Sequence, residues 1–303
     1  MFILRRLHKR LLAIYFFIED AKQHFRFAAP DDRFLQRKIS LASKITILEK
    51  DLHRVEKGLS LNKARQDFGL EVASRIRQIE NEDLALDLEH YKERARIAID
   101  SLVAWQFHQD RSLGLLTERV SPYISSDELV NMKVFFHSRR SIRNFNGKIP
   151  SKSEITNIFA LSINTPSVCN RQSWKVWYVT NPEILKSILK LQNGNSGFEN
   201  LNAILIFGAD LRKFTLGTER NQVWIDGGLF AMTSIWALHA HGIGTCFLNW
   251  ATSPRNSKKL RNYLDVGDYI EFISFCAVGY FDENSLTAKS PRREVSSYIE
   301  FVE

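Results

Sequence analysis

Trp174-Lys175-Val176-Trp177-Tyr178-Val179-Thr180 is strand chemistry, a short run of aromatic and β-branched residues with no glycine or proline to break it. Outward from this run the texture alternates. Upstream, Ile155–Leu161 reads as a short helix, introduced by Ser151-Lys152-Ser153-Glu154, where serine and glutamate can cap each other's backbone. Downstream, Pro182–Leu191 reads as a helix with proline in its first turn, and Ala203–Gly208 as an apolar run of strand length. Gln222–His241 is apolar almost all round, the pattern of a buried central helix. Cys246–Trp250 is a short extended piece after a glycine-rich turn, Ser253–Leu264 is helical, and Tyr269–Tyr280 is the strongest β segment. Strands interleaved with helices predict a layered α/β or α+β domain.

The other half has a different texture. From Met1 to about Ser138 glycines are few, prolines occur only at Pro30 and Pro122, and apolar residues recur at helical spacing. Leu35, Ile39, Leu41, Ile45, Ile47, Leu48, Leu52 and Val55 predict one long amphipathic helix ended by Gly58. A second helical stretch runs from about Asn81 to Gln109, and Asp127-Glu128 open a short helix towards Phe136. The expected division is a helical extension over 1–130 and an α+β domain over 131–303. No internal repeat or low-complexity tract is visible.

The chain has 303 residues, 44% hydrophobic and 25% charged, which supports a sizeable core and excludes a wholly disordered chain. A formal charge of +8 favours anionic partners. There is no long Lys/Arg block, zinc-finger spacing or aromatic RNA-binding signature, so nucleic acid is not an expected partner. Cys169, Cys246 and Cys276 are odd in number and far apart, which argues against a disulfide framework or a zinc site and for a reducing, cytoplasmic setting. Met1–Ile18 is basic, then apolar. It lacks a small-residue cleavage site, and its apolar run falls short of a bilayer span. It reads as a helix docked on the body or on a partner subunit, with peripheral contact at the inner face of a membrane as the alternative.

Four clusters could carry chemistry. Ser138-Arg139-Arg140-Ser141-Ile142-Arg143-Asn144-Phe145 offers three guanidinium groups and hydroxyls suited to a phosphate dianion, or else an exposed basic turn. Thr165-Pro166-Ser167-Val168-Cys169-Asn170-Arg171-Gln172-Ser173-Trp174 leads into the strand. The amides of Asn170 and Gln172 can meet a ring edge of alternating donors and acceptors, or serve a turn. His241-Gly242-Ile243-Gly244-Thr245-Cys246-Phe247-Leu248-Asn249-Trp250 has a Gly-x-Gly, but it follows a helix and precedes a strand, which excludes a dinucleotide fingerprint. Lys289-Ser290-Pro291-Arg292-Arg293 could close over a phosphate or be a solvated tail.

In this order, R-R-S-x-R-x-F, P-S-x-x-N-x-Q-x-W, G-x-G-T-C and a late S-P-R-R resemble the FMN-dependent nitroreductases over about Phe135 to Glu303. The resemblance implies an α+β fold, a mixed or antiparallel sheet sandwiched by helices, and a homodimer with FMN in its interface. It implies that Arg139 and Ser141 hold the FMN phosphate with Arg140 beside them, and that Arg292, with Arg293 next to it, completes that site. It puts Arg143 near the isoalloxazine, Asn170 and Gln172 at its pyrimidine edge, and Pro166-Ser167 along the cofactor. The Asn249-Trp250 backbone would approach the flavin N5. Two departures stand out: Ser173 replaces the usual proline before the tryptophan, which should loosen that loop, and Trp250 replaces a small residue, so that its bulk would narrow or cover the substrate slot. His53-Arg54-Val55-Glu56-Lys57-Gly58-Leu59 resembles a stretch in nitroreductase-like proteins with a helical extension, some encoded beside surface-polysaccharide genes. It is equally an ordinary helix end.

The implied activity is an oxidoreductase in which NAD(P)H and an electron-poor small-molecule acceptor react in turn at FMN, with no protein general base or metal. The competing expectation is a non-catalytic, nitroreductase-like partner acting at a membrane surface, in a surface-polysaccharide pathway.

Overall fold

The computed structural model describes residues 2–30, 39–61, 64–65, 68–80, 89–111, 114, 116, 125–282 and 284–303. Its helices are α1 (Phe2–Phe27), α2 (Leu41–Ser60), α3 (Leu70–Glu80), α4 (Glu89–His108), α5 (Ser126–Ser138), α6 (Lys152–Ser162), α7 (Pro182–Leu189), α8 (Gln222–Ala240) and α9 (Pro254–Leu264). Its strands are β1 (Trp174–Val179), β2 (Ile204–Asp210), β3 (Gly244–Asn249) and β4 (Ile270–Gly279).

The strands form one antiparallel sheet in the order β1-β2-β4-β3. Because successive strand residues point to opposite faces, the sheet carries two separate apolar layers. Ile158 of α6 and Phe230, Ile235 and Leu238 of α8 cover one face, over Leu205, Phe207 and Cys276. Leu185 and Ile188 of α7 and Leu260 of α9 cover the other, over Ile204, Ile206, Phe272 and Phe275. This is the helix–sheet–helix sandwich of an α+β fold. β2 lies at the sheet's centre and is buried at every position, which is why it reads as an unbroken apolar run. A bulge separates Phe207 from Gly208, and a Cβ on Gly208 would come within 2.9 Å of the Glu271 carbonyl oxygen.

Helix starts follow the local chemistry. Ser151 and Glu154 form a reciprocal capping box at α6, Ser125 and Glu128 form one at α5, and the Ser253 side chain caps α9.

The amino-terminal region is helical and has its own core. Leu48, Leu52, Val55 and Leu59 of α2 pack against Ile76 of α3 and against Ala95, Ala98, Leu102 and Trp105 of α4. α2 also docks on the end of the sheet: Thr46 Oγ1 donates to the Arg212 carbonyl at 2.6 Å, and Lys213 Nζ reaches both Glu49 oxygens at 2.7 and 2.8 Å.

Several expectations are corrected. α2 begins at Leu41 with Ser40 as its cap, and Leu35 lies outside the described residues. Gly58 does not end this helix, which runs two residues further; a side chain at 58 would strike the Phe68 ring, so closeness explains the glycine. Residues 81–88, expected to begin the second helix, lie outside the described residues, and α4 is described from Glu89. α5 packs on the domain that follows it, the Phe135 ring lying against Trp236 and His239 of α8. α8 is not buried all round: Trp224, Ile225 and Leu229 are 46, 51 and 45% exposed. Among the described residues no helix is long and apolar enough to cross a membrane.

Candidate functional site

Arg139 follows the last residue of α5, and Ser141 bridges to Thr245 at the start of β3, where Ile142 N donates to the Thr245 carbonyl at 2.9 Å. The R-R-S-x-R stretch is therefore laid against the sheet as a short extended piece rather than left as a free turn. The end of α5 is pinned by α8: His239 Nε2 lies 2.8 Å from Ser138 Oγ and 3.2 Å from the Phe135 carbonyl oxygen. Burial, then the nearby positive charges of Arg292 and Arg140, push the Arg139 guanidinium below its ordinary pKa. Arg292, from the far end of the sequence, thus arrives beside Arg139. Burial pushes the Cys246 thiol above its ordinary range, outweighing the opposing pull of Arg143, Ser141 and Arg139. Among the described residues no carboxylate pairs with Arg139, Arg140, Arg143 or Arg292. Guanidinium groups without a counter-ion are chemically suited to take an anion.

Three of the expected arginines also make local contacts: Arg292 Nη1 donates to the Ser290 carbonyl at 2.7 Å. Arg140 Nη1 bends back onto the carbonyls of His137, at 2.5 Å, and Arg139, at 3.0 Å. Arg293 lies 5.8 Å over the Tyr298 ring, and both residues are exposed.

The second cluster is a tight, strained loop. Cys169, Asn170 and Gln172 all have positive φ, 49°, 51° and 47°, which costs energy for residues with a Cβ. Three anchors hold it. Val168 N donates to Asp226 of α8 at 3.1 Å, Gln172 N donates to Ser167 Oγ at 3.0 Å, and Arg171 is ion-paired to Glu219 at 2.8 Å. Arg171 is 1% exposed, and Glu219 also accepts from Thr215 N. Ser173, which stands where a proline was expected, is buried; its carbonyl accepts from Asp210 N at 2.9 Å, and its hydroxyl has no partner among the described residues. The amides of Asn170 and Gln172 are left exposed, with Gln172 Nε2 donating to Asn170 Oδ1 at 3.2 Å. Pro166 is exposed beside them and Ser167 is half-buried. Arg171, Glu219 and Asp226 did not emerge from the sequence as a unit; a lone aspartate in the apolar run of α8 was the available signal.

Within one chain these two clusters do not meet. One is tied to α8 at residue 226 and the other at residue 239, 13 residues apart and so about 20 Å along the helix. Between them lies a cavity of about 460 Å³, bounded by Gly228 and Met232 of α8, Phe247 and Asn249 of β3, and Ile273 and Ser274 of β4. Asn249 faces this cavity and is exposed; its carbonyl accepts from Gln192 Nε2 at 3.0 Å. Trp250 does not cover the cavity. One step further along the chain, its ring faces the opposite layer, stacked 4.5 Å from Phe275, with Nε1 donating to Ser257 Oγ at 3.0 Å.

Residues 137–196 match the family model described as the Nitroreductase family. None of the curated proteins matches the chain. Among solved structures, a Bacillus subtilis protein assigned as a nitroreductase has a TM-score of 0.50 and 18% identity, over 57% of this chain and 100% of its own. A nitroreductase-like protein from Streptococcus mutans has the same TM-score and identity, over 58% and 100%. An FMN-dependent nitroreductase from Clostridium difficile is 22% identical over 57% and 99%, with a TM-score of 0.47. At these identities the likeness to solved structures is one of fold.

Proposed function

We propose, from the premise that the C-terminal part of this chain is a nitroreductase-family domain and that this family points to an oxidoreductase, that the protein binds FMN and uses NAD(P)H to reduce an electron-poor organic acceptor. The observation that carries the reading is that Arg292 lies within electrostatic reach of Arg139, and Arg139 and Arg143 within reach of Cys246, next to Thr245 on which Ser141 is bridged, with no acidic partner among the described residues. That donor set fits a phosphate dianion: planar guanidinium forks supply charge and paired donors, and the serine adds a short hydrogen bond.

Arg139, Ser141 and Arg292 hold the phosphate in this reading. β3 then leads from Thr245 to Asn249, about 13 Å of strand, into the cavity beside α8. Arg143 places positive charge close to the site, where preorganised charge stabilises added negative charge. Bound FMN would supply the redox chemistry, accepting a hydride equivalent from NAD(P)H and passing it to the acceptor in a separate half-reaction. Asn170 and Gln172 meet the ring edge from a second copy of the chain. Their loop stands too far along α8 to serve the same chain's arginines, and the outward apolar face of α8 offers a two-fold interface that brings opposite helix ends together. The working unit is thus a homodimer.

The purified protein is expected to show flavin absorbance that NADH or NADPH bleaches in the absence of oxygen. A colourless protein, or FMN that neither nicotinamide bleaches, would overturn the reading. Arg139→Ala with Ser141→Ala should strip the flavin while leaving the fold intact by circular dichroism. Stoichiometric FMN in that variant would refute the phosphate assignment.

A further inference from the structure

His24, near the carboxyl end of α1, is buried without a hydrogen bond. It is 9% exposed, and among the described residues neither Nδ1 nor Nε2 has a partner. A neutral imidazole is tolerated in such a place at modest cost. A charged one is not, because burying an unpaired charge costs far more than burying an unpaired neutral group.

The seat of this helix end is small. Ala29 N–H donates to the Phe214 carbonyl at 2.7 Å and Leu216 N–H donates to the Ala29 carbonyl at 2.9 Å, which ties the chain after α1 to the segment leading into α8. On α1 itself, Gln23 Nε2 donates to the Asp268 carbonyl at 2.6 Å, and Phe27 packs edge-on to Tyr269 at 6.2 Å.

The charges around His24 do not rescue a proton on it. Burial and then Arg220 hold the ring below its ordinary 6.5, against the pull of Glu219. Glu219 is already engaged by Arg171 and by Thr215 N–H. The turn Leu211–Lys213 also touches α1, but Arg212 pairs with Asp210 and Lys213 with Glu49. On α1, Arg26 lies 3.6 Å from Asp268. Across the cleft, burial pushes Glu271 of β4 up to about 7, with Arg261 of α9 opposing and Asp20 of α1 adding to the rise.

We propose that His24 is an acid-sensitive latch: a proton on its ring drives the end of α1 and Ala29 off their seat on residues 214–221. Released into water, the imidazole charges freely. A histidine held below 6.5 when docked leaves the docked state at full strength well above pH 6.5 and weakens it as pH falls below that value. Glu271 works in the opposite sense, since its protonation in the same range relieves repulsion with Asp20. The latch shares Glu219 with Arg171, so it lies one ion pair from the Asn170 loop. It operates whether or not a flavin is bound.

The test is hydrogen exchange of the full chain at about pH 7.5 and about pH 5.5, each amide rate divided by its intrinsic rate at that pH so that only opening is read. The amides of Ala29 and Leu216 report on the seat. His24→Phe keeps a ring but takes no proton, and its comparison with the wild type cancels the contribution of Glu271. The ratio of wild-type to His24→Phe protection is expected to fall about tenfold at the lower pH, as for a group that protonates at 6.5 only when released. An unchanged ratio overturns the proposal. If His24→Phe disturbs the fold, the imidazole itself decides by NMR titration of histidine-labelled wild-type protein, its signal assigned by absence in His24→Gln. A midpoint below 6.5 supports the latch, and one at or above 6.5 refutes it.

Discussion

At the residue scale, the loop of the candidate site is held by a buried ion pair. Arg171 has lost its water and is repaid by Glu219 and by the Val168 carbonyl, which accepts from its Nε at 3.1 Å. Removing one partner of such a pair leaves a buried charge uncompensated. Arg171→Met is therefore expected to cost about 3 kcal/mol at neutral pH, measured by urea unfolding. Burial raises the Glu219 pKa, but Arg171 and the Thr215 N–H outweigh it and hold the carboxyl below its ordinary 4.5. A depressed carboxyl contributes stability that is complete above the unfolded value and fades as pH falls through the folded one. The wild-type advantage over Arg171→Met should accordingly shrink below about pH 4.5 and persist above it. An equal advantage at both ends would show that the pair does not titrate as a unit. These residues were individually visible in the sequence, but nothing in their spacing of 48 and 55 positions from Arg171 to Glu219 and Asp226 tied them together.

At the element scale, local signals were dependable and face-level signals were not. The capping box Ser151/Glu154 was read from its four-residue pattern and formed as such, and the structure adds a second at Ser125/Glu128. Gly58 was misread because a glycine near a helix end usually caps it. Its real constraint is the Phe68 ring, ten positions away and packed against α2. Gly58→Ala should destabilise the three-helix core by about 1–3 kcal/mol through overpacking. An unchanged unfolding midpoint would mean that Phe68 moves aside freely.

At the scale of the whole molecule, the exposed face of α8 sets the largest expectation. Trp224, Ile225 and Leu229 line it, and a Cβ on Gly228 would meet nothing within 4 Å, so the face is open to a close-packed second helix. Sedimentation should give a dimer, and Ile225→Asp should yield monomers that have also lost flavin, since the two halves of the proposed site then separate. A dimer that survives this change with its flavin would move the interface elsewhere.

The sequence by itself determined the alternation of strands and helices from Ile155 onward, the helical character of the first half, and the two polar clusters with the family they resemble. Those features depend on periodicity and on hydrogen bonds between near neighbours, so a few consecutive residues specify them. Only the tertiary structure decided which face of α8 is bare and that Arg292 returns to Arg139. The turning of Trp250 away from the cavity, and the standing of the arginines and the Asn170 loop at opposite ends of one helix, were likewise settled there. These depend on which layer each element packs against, a consequence of contacts among residues scores of positions apart that no local pattern encodes.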